Sequence, residues 1–311
     1  MQRLAPRMTS PLPLLAVVGP TASGKSELAL DLAERLGGEI VNADALQLYR
    51  GMDIGTAKLP LEERRGIRHH QLDVLDLRDE ASVAAYQRRA RTDVADIHSR
   101  GHRAIFVGGS GLYVRAALDR LEIPPTDPAV RARLTSELEG QGVEKLYRRL
   151  TELDPRAAAA IQARNGRRIV RALEVIELTG RAFSATMPRR AYLRPTRTIG
   201  LGVDRPVLDE RIERRVGRMW EDGLLAEVET LLGQGLREGR TASRALGYSE
   251  AIAHLDGTLT AAAAQDATIT ATRRLARRQE SWFRPDPRIT WLPHGAPDLL
   301  GRTLALVATD G

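Results

Sequence analysis

Short apolar runs bounded by glycine or charge recur along the chain. Leu14 to Val18, Glu39 to Ala43, Arg103 to Val107 and Thr198 to Val203 each read as a strand buried on both faces, the pattern of a parallel sheet. Between them the apolar spacing becomes helical. In SELALDLAERLGG, Leu28, Leu32 and Leu36 share a face and Gly37 stops the helix. In SVAAYQRRARTDVADIHSRG, Ser82 stands as the N-cap, Tyr86, Ala90, Val94 and Ile97 share one face, and Gly101 ends it. Alternating strand and helix predicts the α/β class.

From about Asp127 to Gly180 every periodic segment is helical. Asp127-Pro128 and Asp154-Pro155 each have the form of an N-cap with proline in the first turn, and RRIVRALEVIELTG stops at Gly180. A long helical region then ends near Arg284 and is followed by one more strand-like run, RITWLP. The expected organisation is an α/β core split in sequence: residues 10–122 as its first part, 123–197 as an all-helical insertion, and 198–311 as its second part with C-terminal helices.

Composition narrows the class. With 42% hydrophobic and 28% charged residues, the 311-residue chain belongs with soluble folded proteins and has ample capacity for a core. The 47 Lys and Arg against 40 Asp and Glu leave a formal charge of +7, which favours a polyanionic partner or marks only an arginine-rich surface. Cysteine is absent, which excludes disulfides and thiolate metal sites and agrees with a cytoplasmic location. The N-terminus is basic and then apolar, as an export signal would be. However, LLAVVG leads directly into a glycine loop, as a core strand must, and no later run approaches the roughly 18 apolar residues of a membrane span. No membrane partner is expected.

That loop is GPTASGKS: Gly19, Pro20, Thr21, Ala22, Ser23, Gly24, Lys25 and Ser26. It has P-loop spacing, an apolar strand before it and an amphipathic helix after it. Glycines there let backbone N–H groups turn toward phosphate oxygens, the helix start adds positive potential, Lys25 reaches a terminal phosphate and Ser26 offers a hydroxyl to Mg²⁺. An NTPase would add a strand ending in a magnesium-holding aspartate. The candidate strand, in RAIFVGGSGLY, ends instead in Gly108, Gly109, Ser110 and Gly111. A carboxylate does stand at another strand end, Asp44 in EIVNADALQLY, where it could hold a metal, act as a general base or cap the next turn.

GPTASGKS, NADALQLYRGMDIGTAK, VGGSGLY, ALGYSEAI and TRRLARRQESWFR occur in this order, and the chain resembles the tRNA dimethylallyltransferase family from about Gly19 to Arg284, insertion included. The resemblance implies a P-loop NTPase-like parallel sheet flanked by helices, with the loop holding the diphosphate of dimethylallyl diphosphate as a leaving group. It implies Asp44 as general base at the N6 amine of an adenosine beside the anticodon. Lys25, with Ser26 as ligand to Mg²⁺, would neutralise the departing diphosphate, and Thr21 would lie near the reacting groups. Ser110 stands where the family often has threonine, and keeps the hydroxyl.

The acceptor base must leave its stack to react, at a cost of about a few kcal/mol. The resemblance places tRNA contacts at Asp44, Ala45, Leu46 and Gln47; at Ser110; at Arg131; at Arg167, Arg168, Ile169, Val170 and Arg171; and at Arg244, Ala245, Leu246, Gly247, Tyr248 and Ser249. The partners implied are the anticodon stem-loop of a tRNA and dimethylallyl diphosphate, and a monomer is expected.

Read without the resemblance, Arg167, Arg168 and Arg171 form either a tRNA-facing edge or a solvated arginine face. Arg273, Arg274, Arg277 and Arg278 recur at helical spacing and could grip phosphate. Arg211 and Arg215 face either the diphosphate or surface partners Glu210 and Glu213. His69 and His70 read as structural, and Trp220, Trp282 and Trp291 as core or domain-contact residues. Three other functions compete: an adenine-nucleotide isopentenyltransferase, a P-loop small-molecule kinase, and an RNA-binding module with a vestigial loop. The insertion and its basic face argue for a macromolecular acceptor, and the missing strand-end aspartate argues against a kinase.

Overall fold

The computed structural model describes residues 12–186 and 190–308. They form two compact units, one from the segments up to Leu118 and from Tyr192 onward, the other Asp119–Ala191.

The larger unit is built on a six-stranded sheet. Its strands are β1 (Leu14–Val18), β2 (Gly38–Asn42), β3 (His69–His70), β4 (Arg103–Gly108), β5 (Thr196–Gly202) and β6 (Ile289–Pro293). They run in the order β3-β2-β4-β1-β5-β6, all parallel. β1 is wholly buried, and its two-residue period divides it between two cores. Leu14, Ala16 and Val18 join Phe106, Tyr86 and Tyr113 on one face. Leu15 and Val17 meet Leu28, Leu32 and Ile40 on the other. Leu28 and Leu32 come from α1 (Lys25–Leu36), while Tyr86 comes from α2 (Val83–Ser99) and Tyr113 from α3 (Gly111–Leu118). Helices therefore cover both faces, as near-continuous apolar strands require.

The expected strands recur with small shifts. β2 runs one residue earlier than read, and β5 begins at Thr196 rather than Thr198. β3 carries no periodic signal because only two residues pair, His69 and His70 against Ile40 and Val41. The histidines serve structure: His69 Nδ1 lies 2.9 Å from the Ile67 carbonyl, and His70 Nε2 lies 2.7 Å from the Glu39 carboxylate, which Arg100 also holds.

The smaller unit contains α4 (Pro128–Gln141), α5 (Val143–Leu153), α6 (Pro155–Ala160) and α7 (Gly166–Thr179) around Leu134, Leu146, Leu150, Ile169 and Leu173. Asp127 caps α4 by accepting from Ala129 N and Val130 N, and Asp154 caps α6 by accepting from Ala157 N. Its limits, Asp119 and Ala191, fall earlier than the 123–197 read from the sequence. Arg120 N donates to Ala191 O at 2.8 Å and closes the unit on itself before the helices begin.

The chain returns to the larger unit with α8 (Arg205–Glu221), α9 (Leu224–Gly233), α10 (Tyr248–Leu255), α11 (Ala261–Phe283) and α12 (Leu299–Ala308). α8 packs on α11, and Leu208, Ile212 and Val216 of α8 meet Ile269 and Ala276 of α11 together with Ala22 of the glycine loop.

Candidate active site

The C-terminal edge of the sheet collects the chemistry, as parallel sheets do. β1 runs into the loop from Gly19, and α1 starts at Lys25. A side chain on Gly19 would stand 2.8 Å from the Leu201 carbonyl oxygen, and Gly24, at φ 89°, lies against the His294 ring. The backbone is thus folded too tightly for larger residues at either end. The first N–H groups of α1 point out of this turn without intrahelical partners, which makes an anion cradle. Lys25 Nζ curls back to donate to Pro20 O at 2.6 Å.

Asp44 follows β2. Asn42 fixes it from both sides, with Oδ1 accepting from Asp44 N at 3.0 Å and Nδ2 donating to Asp44 O at 3.0 Å. Asp44 Oδ1 accepts from Leu46 N at 3.0 Å, so the carboxylate does cap its turn. It also lines two adjoining cavities, so the capping and chemical roles coexist.

β4 ends in glycines for a steric reason. A Cβ on Gly108 would collide with the Ala43 carbonyl, and one on Gly109 with Gln279 Nε2. An aspartate at either place would overlap the end of β2 or the Gln279 amide. Ser110 Oγ accepts from Ala45 N at 3.4 Å and ties the two strand ends together.

The larger cavity, about 350 Å³, is lined by Leu46, Leu112, Met219, Leu246, Leu275 and Trp282 as well as polar groups. The smaller, about 90 Å³, lies over Lys25 and Ser26. Thr21, Asp44, Thr56, Ala57, Gly109, Arg215 and Gln279 border both. An apolar chamber and an anion cradle therefore meet at a seam that carries one carboxylate and the Arg215 guanidinium.

Burial, with the Arg215 charge beside it, pushes Lys25 down to about 7, and Asp44 only partly offsets this. Burial raises Asp44 above its ordinary range, against the pull of the Leu46 N–H, Lys25 and the Gln47 N–H. A raised carboxylate and a depressed amine at one seam are the combination expected of acid–base machinery.

The open alternatives for α8 resolve inward. Arg215 Nη1 donates to Thr21 Oγ1 at 3.2 Å, and Arg211 Nη2 lies 3.4 Å from His294 Nδ1. Glu210 and Glu213 instead pair with Arg214 and Arg273. Arg278 reaches the larger cavity, whereas Arg274 and Arg277 are exposed. Trp220 and Trp291 pack on the core as expected; Trp282, 45% exposed, lies at the cavity instead.

Of the residues expected to meet tRNA, Asp44, Ala45, Leu46, Ser110 and Leu246 line the larger cavity. Gln47 Nε2 donates to Thr56 O and Ala57 O and so steadies the wall. Arg244 is exposed, and Ser249 Oγ donates to Glu250. Ala245, Gly247 and Tyr248 are buried, and their segment offers a partner little beyond backbone.

In the smaller unit Arg167 and Arg168 are exposed, while Ile169 and Val170 belong to the core. Arg131 Nη2 and Arg171 Nη1 converge on the fully buried Glu174 carboxylate at 2.7 and 2.8 Å. The Glu174 bonds hold Glu174 below the usual carboxylate range, burial opposing them. These two arginines are partly committed to their own unit.

Three residues escaped the sequence reading. Gln279 receives the Thr21 N–H at 2.8 Å. Glu227 on α9 accepts from Asp53 N at 3.1 Å, Ile54 N at 2.7 Å and the Tyr248 hydroxyl at 2.5 Å. Glu174 is the third. Gln279 had a legible signal: with Thr268, Thr272 and Ala276 it forms an inward stripe on α11 that is more polar than a buried helix face requires. Glu174 and Glu227 had none, since a lone glutamate in an amphipathic helix reads as surface.

Residues 47–286 match the family model described as IPP transferase. The chain is 57% identical to the tRNA dimethylallyltransferase of a Nocardioides species, over 95% of this chain and 96% of that one. It is 58% identical to the tRNA dimethylallyltransferase of Thermobifida fusca, over 94% of each. Among solved structures it is similar to the full-length tRNA isopentenylpyrophosphate transferase of Bacillus halodurans, with 39% identity, TM-score 0.70, and coverage of 96% of this chain and 95% of that one. It is also similar to a eukaryotic dimethylallyltransferase acting on tRNA, at 26% identity, TM-score 0.80, and coverage of 95% and 78%.

Proposed function

The chain belongs to the tRNA dimethylallyltransferase family, and from that premise we propose that it transfers a dimethylallyl group from dimethylallyl diphosphate to the N6 amine of adenosine next to the anticodon in tRNA. The observation that carries the reading is the placement of Asp44 at the seam between the anion cradle and the apolar chamber. The diphosphate lies on the loop, with Lys25 and Arg215 balancing its charge, and the allylic chain extends into the chamber. The adenine amine attacks the allylic carbon, the carbon–oxygen bond to diphosphate breaks, and Asp44 takes the proton the amine loses. No water has to be activated, and the glycines that end β4 leave no room for the aspartate of an NTPase.

Mg²⁺ fits the residues present. Ser26 offers a hydroxyl at the start of α1 beside the small cavity, with Asp44 on the same cavity. No cluster of three metal-binding side chains exists among the described residues, so the ion would take most ligands from diphosphate oxygens and water, as Mg²⁺ commonly does. When bound it supplies positive charge to the leaving group.

The tRNA anticodon stem-loop delivers the flipped base to the chamber. In the helical unit we assign contacts with its backbone to Arg131, Arg167, Arg168 and Arg171, and in the larger unit, considered by itself, to Arg244 and Arg278. We take the enzyme to be a monomer. No helix among the described residues is long and apolar enough to cross a membrane, and we place the enzyme with its tRNA substrate in the cytoplasm.

The test is incubation with dimethylallyl diphosphate, Mg²⁺ and either unmodified tRNA or AMP, followed by mass analysis of the nucleosides. Prenylated adenosine from tRNA alone is expected. Product from AMP alone would make the protein a nucleotide prenyltransferase, and no product from either would overturn the reading.

A further inference from the structure

The Gln279 amide has its orientation set by the glycine loop. Its Oε1 accepts the Thr21 N–H at 2.8 Å, so the oxygen must face the loop and Nε2 must face away. Nε2 lies close against Gly109 at the end of β4, where no larger residue would leave it room. The residue is 7% exposed, and among the described residues Nε2 has no acceptor. It borders both cavities, alongside Asp44. A buried amide with two N–H donors and no protein acceptor, fixed by its other end, is built to meet an acceptor on something that enters the seam.

The two hydroxyls that share the Gln279 face of α11 and line the same chamber are already engaged. Thr268 Oγ1 donates to Ala264 O and Thr272 Oγ1 to Thr268 O, each within α11. Asp44 accepts but, when ionised, cannot donate. The seam therefore pairs an acceptor, Asp44, with a donor, Gln279. Adenine presents the complement along an edge: an exocyclic N6 donor beside a ring-nitrogen acceptor. Guanine presents O6 where adenine has its amine, and this would set two acceptors, O6 and the Asp44 carboxylate, against each other.

Resting on the reading of the enzyme as an adenosine prenyltransferase, we infer that Gln279 recognises the acceptor base, with Nε2 donating to the ring nitrogen that flanks the amine held by Asp44. Selectivity for adenine then arises at the seam itself, from one residue on α11 and one after β2, in addition to any fit of the chamber. The fixed amide also registers the amine: a base bound to Nε2 is held with N6 toward Asp44 and the allylic carbon.

The experiment uses anticodon stem-loop RNA carrying adenosine, 7-deazaadenosine or 1-deazaadenosine at the acceptor position, with the wild-type enzyme and Gln279→Ala. With wild type, one of the two deaza substrates is expected to lose roughly tenfold in kcat/KM relative to adenosine, the size of one neutral hydrogen bond. With Gln279→Ala the adenosine substrate slows, and the ratio between it and that deaza substrate falls to about one. The ratio cancels any general loss from releasing Thr21, which a structural role alone would cause. Equal rates for all three substrates with wild type, or a ratio that persists in Gln279→Ala, would overturn the inference. Failure of wild type to prenylate even the adenosine RNA would instead overturn the functional reading beneath it.

Discussion

The Arg215 guanidinium donates to the Thr21 hydroxyl across 3.2 Å, joining α8 to the glycine loop at the border of both cavities. One cation thereby orients a loop hydroxyl and faces the place where, on the proposed reading, diphosphate charge develops. Arg215→Ala should lower kcat/KM for dimethylallyl diphosphate by roughly 100-fold, the scale seen when one donor to a developing anion is removed. Arg215→Lys should recover little, because an ammonium cannot reproduce a planar fork that holds Thr21 and meets an oxygen at once. Steady-state kinetics with donor varied at saturating tRNA checks both; a change of only a few-fold in the alanine variant would remove Arg215 from the site.

Asp44→Asn separates the two jobs of that residue. The amide oxygen can still accept the Leu46 N–H, so the turn should persist. It cannot take a proton from the amine, and kcat should fall by roughly 10²- to 10⁴-fold. tRNA binding, measured by filter retention, should be unchanged. A variant that retains full turnover would exclude Asp44 as the base.

Lys25 gives the pH dependence a sign. Its amine is held down to about 7, so in the free enzyme it is charged below that value and loses its charge above it. Capture of a diphosphate needs the charged form, so kcat/KM for the donor should fall as pH rises through about 7. Donor binding should also take up a proton there, visible as a buffer-dependent heat in calorimetry. On the acid side Asp44, raised by burial, should set a loss of activity at a pH above the ordinary carboxylate range. Lys25→Arg should abolish the alkaline limb while keeping charge; a wild-type profile flat well above neutrality would contradict the assignment.

The scaffold was legible because its signals are local. β1 declares itself by five apolar residues before a glycine, and the caps Ser82, Asp127 and Asp154 all hold the N–H groups their positions imply. β3 was invisible because two residues cannot show a period. At the site, the loop and Asp44 were readable from spacing and strand ends. Gln279 and Glu227 were not, because each acts on a segment far away in sequence: 258 residues separate Gln279 from Thr21, and 174 separate Glu227 from Asp53. Nothing local distinguishes Glu227 from an ordinary surface glutamate, and the polar inward stripe on α11 hints at Gln279 without revealing its partner in the first loop. The same limit explains Arg215, whose helix offered two nearby carboxylates as partners while its actual contact lay in the first loop.

Glu227 yields a last prediction from the wall of the chamber. Its carboxylate collects N–H groups from Asp53, Ile54 and, at 3.4 Å, Gly55, and also the Tyr248 hydroxyl. Gly55, Thr56 and Ala57, which follow at once, line the larger cavity. Tyr248 packs so closely on Gly55 that a side chain there would collide with the ring. One carboxylate thus couples the chamber wall to the start of α10. Glu227→Gln turns two acceptor oxygens into one acceptor and one donor, so an N–H of the wall must face another donor. Stability should drop by about 2 kcal/mol, the scale of hydrogen bonds to a charged group. kcat/KM for tRNA should fall roughly tenfold and for the donor by a smaller factor, since the diphosphate rests on the glycine loop while the allylic chain shares the chamber and Thr56 and Ala57 border both cavities. Tyr248→Phe leaves the three N–H bonds in place and should cost less on both counts. Thermal unfolding alongside kinetics with each substrate varied in turn checks the pattern, and an equal loss toward donor and tRNA would show that Glu227 supports the fold as a whole and has no special hold on the chamber wall.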